Sequence, residues 1–91
     1  MIRILIADDH ALVRAGLKRT LGDEVDLEVV GEAKNADEVR VIVQNTPADL
    51  LLLDISMPGA SGLSLLQDAL RINKNIKVLI LSMHPEERFA R

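Results

Sequence analysis

No cysteine occurs in the 91 residues, which excludes a disulfide framework, a thiolate metal site and a cysteine nucleophile. Tryptophan and tyrosine are absent too, and Phe89 is the single aromatic residue. Any core must therefore be aliphatic. The apolar share of 48%, carried by Leu, Ile, Val and Ala, is large enough to build one. Positive charge is in deficit: a net charge of −3 argues against a basic face that binds nucleic acid through this segment. No apolar run approaches the ~20 residues that cross a bilayer. The opening Met-Ile-Arg-Ile-Leu-Ile runs straight into Asp-Asp-His, so no secretory apolar region is expected. One small domain is expected over residues 1–91, with no membrane contact and a cytoplasmic location.

Short apolar runs alternate with stretches of helical period. Ile2 to Ala7 reads as a strand stopped by Asp8-Asp9, and Leu12, Val13, Gly16, Leu17, Thr20 and Leu21 fall on one face of a first helix. Leu27 to Val30 is a second strand. Ala36, Val39 and Val43 mark a second helix, with Asn35 or Asn45 available as caps and Pro47 as its stop. Leu50 to Leu53 is apolar at consecutive positions, the pattern of a strand covered on both faces in a parallel sheet. Ser61 can cap a third helix, expected to turn Leu63, Leu66 and Leu70 inward with Leu65, Ala69 and Ile72 beside them. Val78 to Leu81 is a fourth strand, expected to be buried on both faces. Pro85, followed by Glu86 and Glu87, suits the start of a fourth helix. The order βαβαβαβ predicts an open, doubly wound parallel sheet with helices on both sides.

In such a sheet, ligands bind at the carboxyl ends of the strands. The first strand ends in Asp8 and Asp9, the third in Asp54 and the fourth in Ser82. If the first and third strands are neighbours, three carboxylates converge, and like charges that close repel unless a cation lies among them. Mg²⁺ is the hard, oxygen-seeking ion that suits such a cluster. Beside it, an ionised aspartate can attack phosphorus. Taken singly, an Asp-Asp pair after a strand is an ordinary helix cap and a strand-end Asp an ordinary turn former. Three acids and a hydroxyl at the ends of three strands form a more specific set.

The stretch Asp54-Ile55-Ser56-Met57-Pro58-Gly59-Ala60-Ser61-Gly62, with Asp8-Asp9 before it and Ser82 after it, resembles the receiver domains of bacterial two-component response regulators. The resemblance runs the length of the chain, and its Asp-x-x-Met-Pro-x-x-x-Gly pattern is its strongest signal. It implies a flavodoxin-like fold of strand order 2-1-3-4-5. It also implies that Asp54 accepts a phosphoryl group from a sensor histidine kinase. Asp9 and Asp54 would bind Mg²⁺ directly, with the Ser56 backbone carbonyl as a third ligand and Asp8 acting through water. Ser82 would be the switch hydroxyl. Asp-Asp-His followed by Ala-Leu-Val-Arg-Ala-Gly-Leu is similar to the NarL/FixJ subfamily, whose members regulate transcription through a C-terminal helix-turn-helix domain. His10 is read as a pocket-rim or capping residue, and Met83 and His84 as residues that tune access.

Receiver domains continue to a fifth strand, ending in a lysine, and a fifth helix. Roughly 30 residues of that pattern are expected beyond Arg91. Lys74 and Lys77 precede the fourth strand, at the wrong end of the sheet for that role. The fourth strand would then be an apolar edge, favouring a homodimer or a domain-swapped oligomer. Two other functions use parts of the same pattern. A haloacid-dehalogenase-like phosphatase also forms an aspartyl phosphate, but it carries Asp-x-Asp after its first strand, where this chain has adjacent acids. A phosphate-independent interaction module would use the fold as a dimerisation surface alone. The leading reading is a switch, not an enzyme.

Overall fold

A computed structural model of the chain describes residues 1–54, 57 and 61–81. The elements alternate strictly: β1 (Ile2–Ala7), α1 (Ala11–Gly22), β2 (Leu27–Ala33), α2 (Ala36–Asn45), β3 (Leu50–Asp54), α3 (Gly62–Ile72) and β4 (Lys77–Leu81). The four strands form one parallel sheet in the order β2-β1-β3-β4, as the alternation of consecutive apolar runs with helical periods requires. The order reverses between β1 and β3, whose Ile4–Ala7 and Leu50–Leu53 pair residue for residue.

Two apolar clusters cover the two faces of the sheet. Leu5, Ala7, Leu51 and Leu53 pack with Ala36, Val39 and Val43 of α2 and Leu65 and Ala69 of α3. Ile4, Ile6 and Leu52 point the other way, toward Leu17 and Leu21 of α1. The β1–β2 ladder carries one irregularity: Ile4 pairs with Val29, and Leu5 with Gly31, leaving Val30 as an extra residue. Val30 and Gly31 both face α2, and Glu32 turns back to α1. Gly31 fits there because a Cβ would lie 2.3 Å from Ile42 Cδ1 and 3.0 Å from Leu5 Cδ2.

The caps follow the local chemistry. Asn35 accepts a hydrogen bond from Glu38 N, and Ser61 accepts one from Ser64 N, each satisfying a backbone donor that the first helical turn leaves over. The buried stripe of α2 is Ala36, Val39 and Val43, as its spacing predicts. The expected stripe of α3 is corrected by the structure. Leu65 and Ala69 are buried, whereas Leu63 is 66% and Leu70 41% exposed. Six apolar residues in the helix allow two overlapping stripes, and the approach of α2 selects the second. No residue of α1 is fully buried, and Leu12, expected inward, is 88% exposed. The consecutive apolar run of β4 is not buried on both faces: among the described residues it is the edge strand that was also expected, and Leu79 and Ile80 are exposed.

Candidate functional site

Parallel pairing brings the carboxyl ends of β1 and β3 together, and the two adjacent strands end in acid at the same level. Ala7 pairs with Leu53, so Asp8 and Asp54 follow at the next step of the ladder. Asp8 is held there by its amide, which donates to the Ala33 carbonyl at 2.9 Å and carries the β1–β2 pairing one residue further. Both Asp8 and Asp54 are fully buried, while the Asp9 side chain is partly open to solvent.

Neither Asp8 nor Asp9 caps α1. The N-cap position is His10, whose side chain makes no capping hydrogen bond. Instead Asp8 folds over the turn: its Oδ1 accepts from the His10 amide at 2.7 Å and lies 3.1 Å from His10 Nδ1. The ring nitrogen is also 3.0 Å from Asp9 Oδ1 and 3.9 Å from Asp54 Oδ2. The hydrogen bond to Asp8, then the charge of Asp9, raise the imidazole above its ordinary value of 6.5. His10 thus reaches all three acids while its side chain stays 57% exposed.

One ligand atom from each of Asp8, Asp9, His10 and Asp54 can be chosen so that all lie within 4.8 Å of one another. The second oxygen of Asp8, Oδ2, is buried and receives no hydrogen bond from any described residue. A buried carboxylate oxygen so placed is costly without a partner, and a divalent cation supplies one. The donor set of carboxylate oxygens fits a hard ion.

One residue to which sequence reasoning gave no role shapes this site. Arg14, one turn into α1, donates from Nη1 to the Asp8 carbonyl at 2.6 Å and from Nε to Glu32 Oε1 at 3.2 Å. It thereby ties the turn after β1 to β2, and Lys18 adds a 2.9 Å contact to Glu32. A cation six residues after Asp8, on the helix that follows, was the available signal. Met57 of the quoted motif is buried in the core on the α2–α3 side. Lys77 opens β4 at the end of the sheet opposite the acids, as expected. Ser56, Pro58, Ser82, Met83, His84, Pro85, Glu86 and Glu87 lie outside the described residues.

Comparison with known proteins agrees with this geometry. The family model described as the response regulator receiver domain matches residues 4–91. The response regulator UvrY of Escherichia coli K12 is 38% identical over 86 residues, 94% of this chain and 39% of that protein. The response regulator GacA of Pseudomonas viridiflava is 39% identical over 89 residues, 98% of this chain and 42% of that protein. The chain thus spans about two fifths of the length of these relatives. Among solved structures, Salmonella typhimurium RcsB superposes with a TM-score of 0.85 at 28% identity, over 91% of this chain and 43% of that one. The response regulator domain of Thermotoga maritima CheB gives 0.84 at 30% identity, over 90% and 60%. With four parallel strands in the flavodoxin-like order and the acids at their carboxyl ends, the chain belongs to the response regulator receiver domains.

Proposed function

We propose that Asp54 accepts a phosphoryl group from a sensor histidine kinase, and that the resulting charge switches the surface of the domain. The observation that carries this reading is the placement of Asp54, buried at the end of β3 beside Asp8 of β1 at the point where strand order reverses. A carboxylate oxygen of Asp54 attacks the phosphorus, the bond from phosphorus to the donor's imidazole nitrogen breaks, and the freed imidazole takes up a proton. Asp9 and Asp54 would hold Mg²⁺, with Asp8 behind them and the Ser56 carbonyl as a third protein ligand. When bound, Mg²⁺ neutralises charge on the phosphoryl oxygens. Asp8 and the Arg14 contact to its carbonyl fix the turn that carries Asp9. Ser82 is assigned as the switch hydroxyl on the family resemblance alone. The aspartyl phosphate formed once per molecule is a signal, and the domain turns over no substrate.

In the whole protein this switch would work in the cytoplasm and control transcription through a DNA-binding domain C-terminal to the receiver. RcsB, one of the structural neighbours, has been solved in complex with DNA. A second reading, self-association as a homodimer or domain-swapped oligomer, draws on the exposed Leu79 and Ile80 of edge strand β4. Light scattering that finds a monomer at all accessible concentrations would overturn it.

The test of the switch is intact mass after incubation with Mg²⁺ and a small-molecule phosphodonor. The expected result is a gain of one phosphoryl group that Asp54→Asn abolishes. No gain in the unsubstituted chain, or a gain that persists in Asp54→Asn, would refute the assignment.

A further inference from the structure

We infer that His10 is a nitrogen ligand of the cation held among the acids, and that it tilts the site's selectivity toward ions that accept imidazole, Mn²⁺ in particular, over Mg²⁺. The inference rests on the reading of Asp8, Asp9 and Asp54 as a cation site.

Three separations motivate it. His10 Nδ1 lies 3.1 Å from Asp8 Oδ1, 3.0 Å from Asp9 Oδ1 and 3.9 Å from Asp54 Oδ2. In an octahedral site with bonds of about 2.1 Å, adjacent ligand atoms stand about 3.0 Å apart and opposite ones about 4.2 Å. The separation from Asp9 is that of an octahedral edge and that from Asp54 lies between edge and diagonal, while Asp8 Oδ1, which also accepts from the His10 amide, holds the turn. A single Nδ1–H explains one short contact to an oxygen. The second short contact, 3.0 Å to Asp9 Oδ1, is the separation of two ligands of one cation. The buried Asp8 Oδ2, with no hydrogen bond from any described residue, independently calls for a cation beside Asp8.

Local geometry holds the ring there. His10 occupies the N-cap position of α1 but spends no side-chain atom on capping. The 2.7 Å hydrogen bond from its amide to Asp8 Oδ1 closes the Asp8-Asp9-His10 turn, so all three side chains reach one point. The chemistry then separates metals. A site of oxygens alone suits Mg²⁺, whereas an imidazole nitrogen gains little from Mg²⁺ and more from first-row transition ions. Mn²⁺ keeps the octahedral preference and accepts both donor types.

The experiment loads the 91-residue chain with Mn²⁺ at mildly alkaline pH, where imidazole offers its lone pair, and reads nitrogen coupling by pulsed electron paramagnetic resonance. His10→Asn and His84→Asn are measured beside it, with competition of Mg²⁺ against Mn²⁺ in each. Asparagine is a favourable N-cap and His10 is exposed, so the fold is not at risk in the first variant. The expected result is a directly bound nitrogen that persists in His84→Asn and vanishes in His10→Asn. The preference for Mn²⁺ over Mg²⁺ should fall about tenfold with it. Bound Mn²⁺ without nitrogen coupling, or coupling that survives His10→Asn, would overturn the inference while leaving the acidic site standing. Mn²⁺ that fails to bind, or binds unchanged in Asp54→Asn, would overturn both.

Discussion

Leu63 and Leu65 sit two residues apart on α3, and replacing each with alanine separates the two possible inward faces of that helix. Leu65 is 1% exposed and packs in the cluster shared with α2 and β3. Removing most of a fully buried leucine side chain costs about 2–5 kcal/mol, the spread reflecting how far neighbours close over the cavity. Leu63 is 66% exposed, so about a third of its burial is at stake. With full burial of a leucine contributing about 1.5–3 kcal/mol, its loss is about 0.5–1 kcal/mol, part of which alanine's helix preference returns. A domain of this size has about 5–14 kcal/mol of stability in all, so the difference is large on the relevant scale. The chain has no tryptophan or tyrosine, so urea unfolding is best followed by far-ultraviolet circular dichroism. With a urea slope of about 1–2 kcal/mol per molar, Leu65→Ala should lower the midpoint by at least about 1 M, and Leu63→Ala by well under that. Equal losses in the two variants would refute the assignment of the inward face.

Asn35→Ala and Ser61→Ala each remove one helix cap and should each cost about 1 kcal/mol in the same assay. Glu32 is bonded first by Lys18 and then by Arg14, which holds its carboxyl below its ordinary 4.5. Its stabilisation is therefore present above the unfolded value and lost as pH falls through the lower folded value. Melting temperatures of Glu32→Gln should accordingly fall less steeply than those of the unsubstituted chain as the solution is acidified below that range. Adding Mg²⁺ at a hundred times its dissociation constant should stabilise the domain by about 2.7 kcal/mol, and chelation should reverse the gain. Asp54→Asn should lose most of that response in a thermal melt, and an undiminished response would place the ion elsewhere.

Much of this architecture was legible because parallel strands announce themselves. Leu50 to Leu53 is apolar without alternation, and only a strand covered on both sides tolerates that. The acids were legible for the same reason, since each ends such a run. The helices were harder to read. On α3, Leu63, Leu65, Leu66, Ala69, Leu70 and Ile72 satisfy more than one helical face, and the choice depends on where α2 lies. Leu12 fits the period of α1 yet projects into solvent, because burial there depends on neighbouring elements and not on spacing. The β4 run carries the apolar signature of a central strand but stands at an edge among the described residues. The role of Arg14 and the reach of His10 toward the acids stayed hidden because both depend on a turn closed by the Asp8 side chain, a contact that leaves no periodic trace.

The extra residue in β2 gives that strand an unusual tolerance to changes of length. Because side chains alternate along a strand, adding or losing one residue normally exchanges its two faces from that point onward. Here the ladder already absorbs one surplus position between Val29 and Gly31. Deleting Val30 would leave Val29 opposite Ile4 and Gly31 opposite Leu5, so Glu32 would still meet Arg14 and Ala33 would still hold the Asp8 amide. The same deletion at Glu32, beyond the surplus position, would reverse the order of faces beside the acidic pocket. Within β2, the residue that can be lost with every other pairing kept is thus Val30, four residues before Lys34.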